Sequence, residues 1–429
     1  MELVAPPTFP EALKVWARIG LTSFGGPAGQ IALMHRVLVD EKRWIDERSY
    51  LVALNFCTLL PGPEAMQLAT YSGWRLHGIR GGLAAGLLFV LPGAVVILAL
   101  AALYAAYGAV PLVNAMFTGI KAAVLAIVVE ALIKISRRSL KDGAEWAIAA
   151  LSFAAIFFFK VPFPVIVLAA AIFGYFRNQA GDQRTALSAE AARVPLTATV
   201  STIALWLGIW LLPLVAVSLT FGFDHVLAKL SWFFSKLAIV TFGGAYAVLA
   251  YMAQDAVETY GWLKPGEMLD GLGLAETTPG PLILVTEFVG YLAAYRQSGA
   301  SLAMGLLGAI VTVWATFAPS FLFIFAGAPY IERLKDAPRL KSALSAITAA
   351  VVGVVLNLSV WFALHVVFRS VPEVAIGPLK VAVPDIAGID PVAAVLAIVS
   401  AVLLFALHAG VMTTLSIAAL LALAAHFMV

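Results

Sequence analysis

Charged residues are scarce in this chain, and cysteine is almost missing. Only 12% of its 429 residues are charged, against roughly 25% in ordinary soluble domains, so the composition argues against a water-soluble fold. Cys57 is the only cysteine, which excludes an intramolecular disulfide and any two-cysteine redox centre. No His, Cys or carboxylate cluster has the spacing of metal ligands. We therefore expect no metal and no cofactor.

Nucleotide-binding motifs are missing as well. The chain has neither a Walker A motif nor a Rossmann glycine fingerprint, so ATP-driven pumping would need a partner subunit. The longest polar stretches, 177–195 and 367–390, are too short for a soluble domain. Residues 1–10 hold Glu2 and three prolines but no basic segment, and we expect no cleaved signal peptide. No nucleic-acid partner is expected.

Apolar residues make up 62% of the chain, and its mean hydropathy is +0.97. A membrane-spanning helix needs about 20 predominantly apolar residues. About thirteen segments approach or meet that requirement, namely 12–34, 50–73, 81–107, 110–134, 144–159, 163–176, 197–220, 232–252, 267–293, 299–327, 341–366, 391–407 and 410–428. The sequence therefore predicts an all-α polytopic protein in the lipid bilayer.

The chain aligns with itself without a gap over a block that carries three dissimilar motifs. The matched pairs are Phe24-Gly25-Gly26 with Phe242-Gly243-Gly244, Trp44 with Trp262, and Pro61-Gly62-Pro63 with Pro279-Gly280-Pro281, all at one constant offset. A small further shift then aligns Pro92 with Pro319. Paired halves with Gly and Pro interruptions at matching places are typical of secondary transporters. We predict two homologous transporter repeats, 1–220 and 221–429.

Basic residues indicate how the two halves are oriented. With a cytoplasmic N-terminus, Lys and Arg collect on the cytoplasmic side in loops 74–80, 134–143, 177–195 and 331–341, as the positive-inside rule requires. Loop 35–50 is an exception, because its basic residues lie on the other side. The loop after the Pro92 span is uncharged, whereas its counterpart, 331–341, holds four basic residues. We predict inverted halves, with the N-terminus inside and the C-terminus outside.

Each Pro-Gly-Pro motif lies in the middle of a predicted span. Such a motif removes two amide donors, so a continuous helix is disfavoured. Unpaired backbone in hydrocarbon is tolerated only where protein or water covers it. The amides of Glu64 to Gln67 and of Leu282 to Val285 would then form helix N-termini that bind oxyanions. A plain proline kink is the alternative, and the symmetric repetition favours a binding site.

Each Phe-Gly-Gly motif follows a hydroxyl, Ser23 in the first half and Thr241 in the second. Paired glycines either let helices pack closely or unwind the backbone so that its amides face a ligand. The two interpretations are about equally supported for any one glycine. The hydroxyls could hydrogen-bond an oxyanion.

Arg18 and Lys236 are related by the same offset as the repeated motifs. A cation this far into a span usually faces a partner or a watery cavity, and two such cations suit a carrier of dianions. The alternative is that each side chain extends to the nearer membrane interface. Lys121 is another cation in an apolar span, and its repeat equivalent is Thr348, so any role would be asymmetric.

Acidic and aromatic residues complete the pattern. Glu64 follows the first Pro-Gly-Pro, and Glu276 precedes the second by three residues. Either one could couple transport to a cation or compete with the anion, although an acid at a helix start is often only a favourable partner of the dipole. Trp44 and Trp262 lie just outside spans and are interpreted as anchors at the membrane interface.

These motifs resemble the chromate ion transporter family. In the first half the resemblance is carried by Phe24-Gly25-Gly26-Pro27-Ala28-Gly29-Gln30, Leu60-Pro61-Gly62-Pro63-Glu64-Ala65 and Gly73-Trp74-Arg75. In the second half it is carried by Thr241-Phe242-Gly243-Gly244, Ala275-Glu276-Thr277-Thr278-Pro279-Gly280-Pro281 and Phe288-Val289-Gly290. It covers about 24–134 and 232–366, in the order of a long-chain, two-domain member. The second half has Ala245 and Leu282 in place of Pro27 and Glu64, so the two sub-sites are not equivalent.

The resemblance implies an exporter of chromate in the plasma (inner) membrane of a bacterium or archaeon, which gives chromate resistance, with sulfate as the expected competitor. A homodimer is left open. The candidate substrate-binding residues are Arg18, Ser23, Phe24, Gly25, Gly26, Pro61, Gly62, Pro63, Glu64, Lys236, Thr241, Phe242, Gly243, Gly244, Glu276, Pro279, Gly280 and Pro281. No catalytic residue is expected.

Other functions fit the sequence to different degrees. A carrier or channel for another oxyanion such as sulfate cannot be separated from a chromate carrier by composition. An intramembrane chromate reductase would need thiols or a redox cofactor, and one cysteine argues against it. A pure scaffold is poorly supported, because symmetric helix breaks have a cost in lipid.

Overall fold

The chain is mostly helical, as predicted. A computed structural model describes residues 6–108, 110–177, 195–240, 242, 245–331, 338–377 and 379–428. Within these residues the helices are α1 (Phe9–Thr22), α2 (Gly26–His35), α3 (Glu47–Leu59), α4 (Glu64–Tyr107), α5 (Pro111–Ser139), α6 (Gly143–Phe159), α7 (Phe163–Arg177), α8 (Leu196–Phe221), α9 (Val226–Val240), α10 (Ala245–Gln254), α11 (Pro265–Glu276), α12 (Val285–Gln297), α13 (Leu302–Gly327), α14 (Pro338–Val367), α15 (Pro391–Ala401) and α16 (Val411–Met428).

Six helices of the described residues are long and apolar enough to cross a membrane. They are Glu64–Tyr107, Pro111–Ser139, Leu196–Phe221, Leu302–Tyr330, Arg339–Val367 and Val411–Met428. Shorter apolar helices cover Gly143–Phe159, Phe163–Arg177 and Pro391–Ala406. The chain is therefore a multi-pass membrane protein by length and composition. The count of thirteen segments and the inversion of the halves remain predictions.

Helix α4 is two helical segments joined by a sharp turn. His77 and Gly78 have non-helical backbone angles, and the φ of Gly78 is +61°. The segments before and after this turn pack closely, since a Cβ atom on Gly73 would lie 2.2 Å from the carbonyl oxygen of Gly81. Glycine is required at both positions for this approach. A loop at 74–80 is predicted from the sequence, but the tightness of this turn is not.

The two halves build the same local turn after α2 and after α10. A π-helical turn, Arg36–Glu41 or Asp255–Thr259, ends each helix. The amide of Trp44 then donates to the carbonyl of Leu38 at 2.9 Å, and the amide of Trp262 donates to Ala256 at 2.8 Å. Donors and acceptors are both related by the offset of the repeat. These tryptophans are 8% and 3% exposed, so they pack inside the protein, and the interfacial-anchor interpretation was wrong.

The described residues also contain a short β-hairpin. Strands β1 (Glu373–Ile376) and β2 (Leu379–Ala382) pair antiparallel, with Ile376 opposite Leu379. Gly377 lies at the turn with a φ of +63°, which glycine adopts without strain. The hairpin lies within the polar stretch 367–390, where no secondary structure was predicted, so the fold is mostly rather than entirely α-helical.

The chain divides into two compact units. Unit 1 comprises residues 1–100, 178–245 and 278–341, and unit 2 comprises 101–177, 246–277 and 342–429. Each unit therefore draws on both sequence halves. The boundary between the repeats, 1–220 and 221–429, describes the duplication of the sequence and remains a prediction.

Candidate functional site

Both Pro-Gly-Pro motifs form non-helical links between helices. α3 ends at Leu59 and α4 begins at Glu64, while a 3₁₀ turn at Leu282–Leu284 leads from the second motif into α12. The φ angles of Gly62 and Gly280 are +118° and +89°. Because residues with a side chain rarely adopt this region, glycine is needed at the centre of each loop.

The helix starts after these loops expose fewer amides than predicted. The amide of Gln67 donates to the carbonyl of Pro63 at 3.0 Å, and that of Leu284 donates to Pro281 at 2.9 Å. The amide of Val285 is also bonded to backbone carbonyls. The amides of Gln67, Leu284 and Val285 are therefore removed from the predicted set of anion-binding amides.

The first Gly-Gly motif and the second Pro-Gly-Pro motif meet inside unit 1. The amide of Gly280 donates to the carbonyl of Ser23 at 2.8 Å. The side-chain Nε2 of Gln30 donates to the carbonyl of Gly280 at 2.6 Å and lies 3.5 Å from that of Ser23. Ser23 and Gln30 are 0% and 1% exposed. We call this set of three residues, Ser23, Gln30 and Gly280, the junction.

Each Pro-Gly-Pro loop also packs against a proline-containing helix from the other sequence half. A Cβ on Gly93 of α4 would lie 2.1 Å from the carbonyl oxygen of Pro279. A Cβ on Gly62 would lie 3.0 Å from the hydroxyl of Ser320 on α13. Gly93 and Ser320 follow Pro92 and Pro319, so they are equivalent in the repeat. All of these contacts lie within unit 1, and they place the two loops in equivalent settings.

Gly25 and Gly26 unwind the chain between α1 and α2. Their φ angles are +85° and +73°, and a Cβ on either residue would meet nothing within 4 Å. Close helix packing therefore does not explain these glycines, and an unwound backbone does. Phe24 beside them is 43% exposed. In the second copy Phe242 is half-buried, while Thr241, Gly243 and Gly244 lie outside the described residues.

The two repeat-related cations lie on exposed faces of their helices. Arg18 is 60% exposed at its side chain and pairs with Glu41 at 3.5 Å. Glu41 also pairs with Arg36 at 3.7 Å. Lys236 is exposed on α9. These positions agree better with side chains that extend to an interface than with cations buried in a span.

The predicted acids occupy different units. Glu64 is the first residue of α4 in unit 1 and is half-buried. Glu276 ends α11 in unit 2, is 6% exposed, and accepts a hydrogen bond from the hydroxyl of Tyr246 at 2.9 Å. Glu276 is therefore engaged inside its own unit.

Three polar residues around the loops were missed from the sequence. Gln30 bridges the junction, Gln67 donates to the carbonyl of Pro61 at 2.6 Å, and Ser320 lies beside Gly62. The Oε1 atom of Gln67 and the hydroxyl of Ser320 are buried without a hydrogen-bond partner. An amide side chain inside an apolar span was the available signal, because buried polar groups need partners there.

Comparison with known proteins finds one family model that matches most of the chain and several similar proteins. A family model described as chromate transporter matches residues 11–175 and 228–426. A protein of Pseudomonas aeruginosa named chromate transport protein is 32% identical over 386 residues, which cover 88% of this chain and 86% of that protein. A protein of Cupriavidus metallidurans with the same name is 30% identical over 81% of each chain.

A more distant relative is an uncharacterized transporter of Methanocaldococcus jannaschii, which is 27% identical over 83% of this chain and 86% of that protein. No solved structure matches the chain. The similarity therefore extends over most of the length of these relatives.

Proposed function

This chain belongs to the chromate transporter family, and on that premise we propose that it exports chromate from the cytoplasm of a prokaryotic cell. The observation that carries the substrate is the 32% identity to a chromate transport protein over most of both chains. Chromate is a tetrahedral dianion, so its carrier must replace water with hydrogen-bond donors and positive potential.

We place the oxyanion site at the unwound backbone of unit 1, beside the junction. Gly25 and Gly26 offer open backbone at the start of α2, where amides and the helix dipole favour an anion. The backbone of the second loop is fixed there, because Gly280 is bonded to both Ser23 and Gln30. A backbone that is already fixed needs no reorganisation when the anion arrives, which lowers the free-energy cost of binding.

The cations act before binding. Arg18 and Lys236 lie on exposed faces, where they raise the local concentration of a dianion rather than contact it at depth. Glu41 competes for Arg18 at 3.5 Å, so an arriving anion exchanges one partner for another. This role is sensitive to ionic strength, because surface charges are screened by salt.

Transport follows an alternating-access cycle between inverted halves, with the N-terminus in the cytoplasm of the cell. The repeated turns at Trp44 and Trp262 and the paired contacts of the two Pro-Gly-Pro loops support a duplicated architecture. In transporters of this kind the binding site lies at the broken helices, and one repeat rocks against the other.

Uptake into everted membrane vesicles tests this function. Labelled chromate is supplied outside vesicles that contain the inserted protein, with and without excess sulfate or molybdate. We expect accumulation that unlabelled chromate and sulfate reduce. Vesicles without the protein are the control.

Two results would change the proposal. Accumulation of labelled sulfate with no chromate uptake would assign another oxyanion as the substrate. Absence of uptake of either anion, in vesicles shown to hold inserted protein, would contradict export by this chain alone.

A further inference from the structure

Unit 2 contains a buried set of charged and polar side chains that chromate binding does not use. Asp270 on α11 is 4% exposed. One of its oxygens, Oδ2, accepts a hydrogen bond from the hydroxyl of Tyr104 at 2.7 Å. The other, Oδ1, lies 3.6 Å from Nζ of Lys121 on α5. We call Tyr104, Lys121 and Asp270 the buried trio.

The carboxylate of the trio is incompletely satisfied. Oδ1 is buried and has no hydrogen-bond partner, since its distance to Lys121 exceeds that of a hydrogen bond. Removing a carboxylate from water has a large cost that only good geometry and further hydrogen bonds offset. Taking up a proton removes the cost of burying the carboxylate, and the charge that stays on Lys121 keeps access to water because that side chain is 20% exposed.

Close packing of two helices holds the trio together. A Cβ on Gly273 of α11 would lie 2.2 Å from Cγ2 of Ile120 on α5, so the helices touch one residue from Lys121. Gly266 leaves room for the lysine, whose Nζ would lie 3.6 Å from a Cβ there. The side chain of Lys121 remains 20% exposed, which links the trio to the surface.

The repeated architecture does not need these charges. The alignment that relates the halves places Thr348 opposite Lys121, Val52 opposite Asp270 and Ile331 opposite Tyr104. The hydroxyl of Thr348 donates to the carbonyl of Leu344 in its own helix at 2.8 Å. The ion pair thus joins Lys121 of the first half to Asp270 of the second, and the equivalent position in the opposite half carries an uncharged side chain in each case.

We propose that Asp270 is the proton-binding carboxyl that couples oxyanion transport to the movement of protons. This inference rests on the proposed function, because it assigns a driving ion to the same carrier. Ionisable residues inside a membrane protein commonly form proton relays. A proton fits the site, since it needs no cavity, whereas an oxyanion would need space between Lys121 and Asp270.

The step balances as a simple acid–base exchange. A proton from water on the outer side adds to a carboxylate oxygen of Asp270, and no covalent bond breaks in the protein. The charge of the trio rises from zero to +1, since Lys121 stays protonated and Tyr104 stays neutral. The proton later leaves to water on the cytoplasmic side, so one proton enters as one oxyanion leaves.

Few other charged groups act on Asp270 among the described residues. Besides Lys121 and Tyr104 there is Glu267, one turn earlier on α11. Helix α16 also packs against α5 and α11, and its titratable residue is His426, near its last turn. Protonation of Asp270 is therefore governed chiefly by its own trio.

Asp270→Asn tests the assignment, because it keeps the shape of the side chain and removes the titration. Proteoliposomes are assayed for accumulation of labelled chromate driven by a pH gradient, and for exchange of labelled against unlabelled chromate without a gradient. We expect gradient-driven accumulation to fall by about tenfold or more, within the range of about 5- to 150-fold typical of coupling between sites. Exchange should stay near the wild-type rate.

Glu373→Gln is the matched control, since the Glu373 side chain is 48% exposed and pairs with Lys160 at 2.8 Å in the same unit. It should leave both assays unchanged. If Asp270→Asn fails to fold, the double variant Lys121→Gln with Asp270→Asn removes both charges together, which avoids an unpaired buried charge. Recovery of gradient-driven accumulation in that double variant would assign the pair a structural role and overturn the proposal.

The outcomes separate the two proposals. Wild-type protein without chromate exchange contradicts the proposed function. Two results contradict only the inference. In one, the wild type exchanges chromate and Asp270→Asn retains gradient-driven accumulation. In the other, the wild type exchanges chromate but shows no gradient-driven accumulation. A third measurement needs no transport: infrared difference spectra between acid and alkaline pH should show a protonated carboxyl band that Asp270→Asn lacks, and an unchanged band would overturn the assignment.

Discussion

Gly62 and Gly280 are equivalent in the repeat, and each holds a left-handed backbone at the centre of a Pro-Gly-Pro loop. Both loops pack against equivalent helices, but the polar side chains beside the two glycines are different. A Cβ atom on Gly62 would contact the side chains of Gln67, from the same sequence half, and Ser320. Gly280 instead forms hydrogen bonds with Ser23 and Gln30 of the other sequence half. Duplication thus preserved the left-handed glycine of the loop, while Gln30 has Val248 at its equivalent position in the second half. The hydrogen bonds of Gly280 tie the second loop to the first Gly-Gly motif, which is why we place the substrate there.

Alanine at the two loop glycines should have the largest effect. A left-handed backbone costs a residue with a side chain about 1–2 kcal/mol, and about 1.4 kcal/mol corresponds to a factor of ten. We expect Gly280→Ala to lower chromate flux by about tenfold or more, and Gly62→Ala to lower it less. Labelled-chromate uptake, corrected for the amount of inserted protein, measures both.

Gly299→Ala is the control for backbone strain alone. Its φ is +67° and a Cβ there would meet nothing within 4 Å. A loss of flux in Gly299→Ala equal to that in Gly280→Ala would show that the loop position has no special role. Equal losses in Gly62→Ala and Gly280→Ala would remove the difference between the loops.

Gln30 and Gln67 each hydrogen-bond a backbone carbonyl of one Pro-Gly-Pro loop. Gln30→Leu leaves the carbonyl of Gly280 without its side-chain donor, and a buried unpaired group costs about 1–3 kcal/mol. Gln67→Leu removes a bond inside one loop only. We expect Gln30→Leu to weaken chromate binding more than Gln67→Leu, with similar thermal stability of the two purified variants. The reverse order would place the substrate at the first loop.

Arg18→Ala and Lys236→Ala test the attraction of the anion. We expect each to lower flux by about fivefold or less, the scale of an exposed ion pair, with correct insertion of the protein. The loss should shrink at high salt because the charges are screened. Lys14→Ala, exposed one turn before Arg18, is the control, and normal flux in both test variants would rule out a role for this pair.

The smallest effect concerns a loop of unit 2. The carboxylate of Asp142 accepts a hydrogen bond from the amide of Glu145 and then one from Arg177, which together lower the pKa of Asp142 below its ordinary value of 3.8. A lowered pKa in the folded state stabilises the protein fully above the ordinary value, and this contribution is lost as the pH falls through the folded value.

Asp142→Asn keeps a side-chain acceptor at the start of α6 but does not titrate. Thermal unfolding measured from pH 6 down to about pH 3, across the ordinary carboxyl range, should show a slightly steeper loss of stability in the wild type than in the variant. Parallel curves would contradict the contribution of Asp142. Chromate flux at neutral pH should be the same in both.

The backbone conformation of short segments was predictable from the sequence, whereas contacts between distant segments were not. Gly62 and Gly280 could be placed at helix breaks because proline and glycine act through the chain on either side of them. The partner of Gly280 could not be foreseen, since Gln30 is remote from it in the chain and has no repeat counterpart with an amide. The tight turn at Gly78 depends on a close approach of Gly73 to Gly81 that no periodicity records.

Charges were the hardest feature to interpret. A basic residue within an apolar segment predicts either an interface or a buried partner, and sequence alone does not choose between them. The structure places Arg18 at the surface beside Glu41 and Lys121 in the interior beside Asp270. Arg18 and Lys121 differ in their surroundings because different helices pack against the faces that carry them.

Binding of chromate to the purified protein shows whether the junction forms the oxyanion site. Titration calorimetry on the wild type, Gly280→Ala and Gly299→Ala, each with and without sulfate, compares the junction with a matched glycine elsewhere. We predict that the wild type and Gly299→Ala bind chromate alike, that sulfate competes, and that Gly280→Ala binds about tenfold more weakly. Equal chromate affinity in all three proteins would contradict an oxyanion site at the junction.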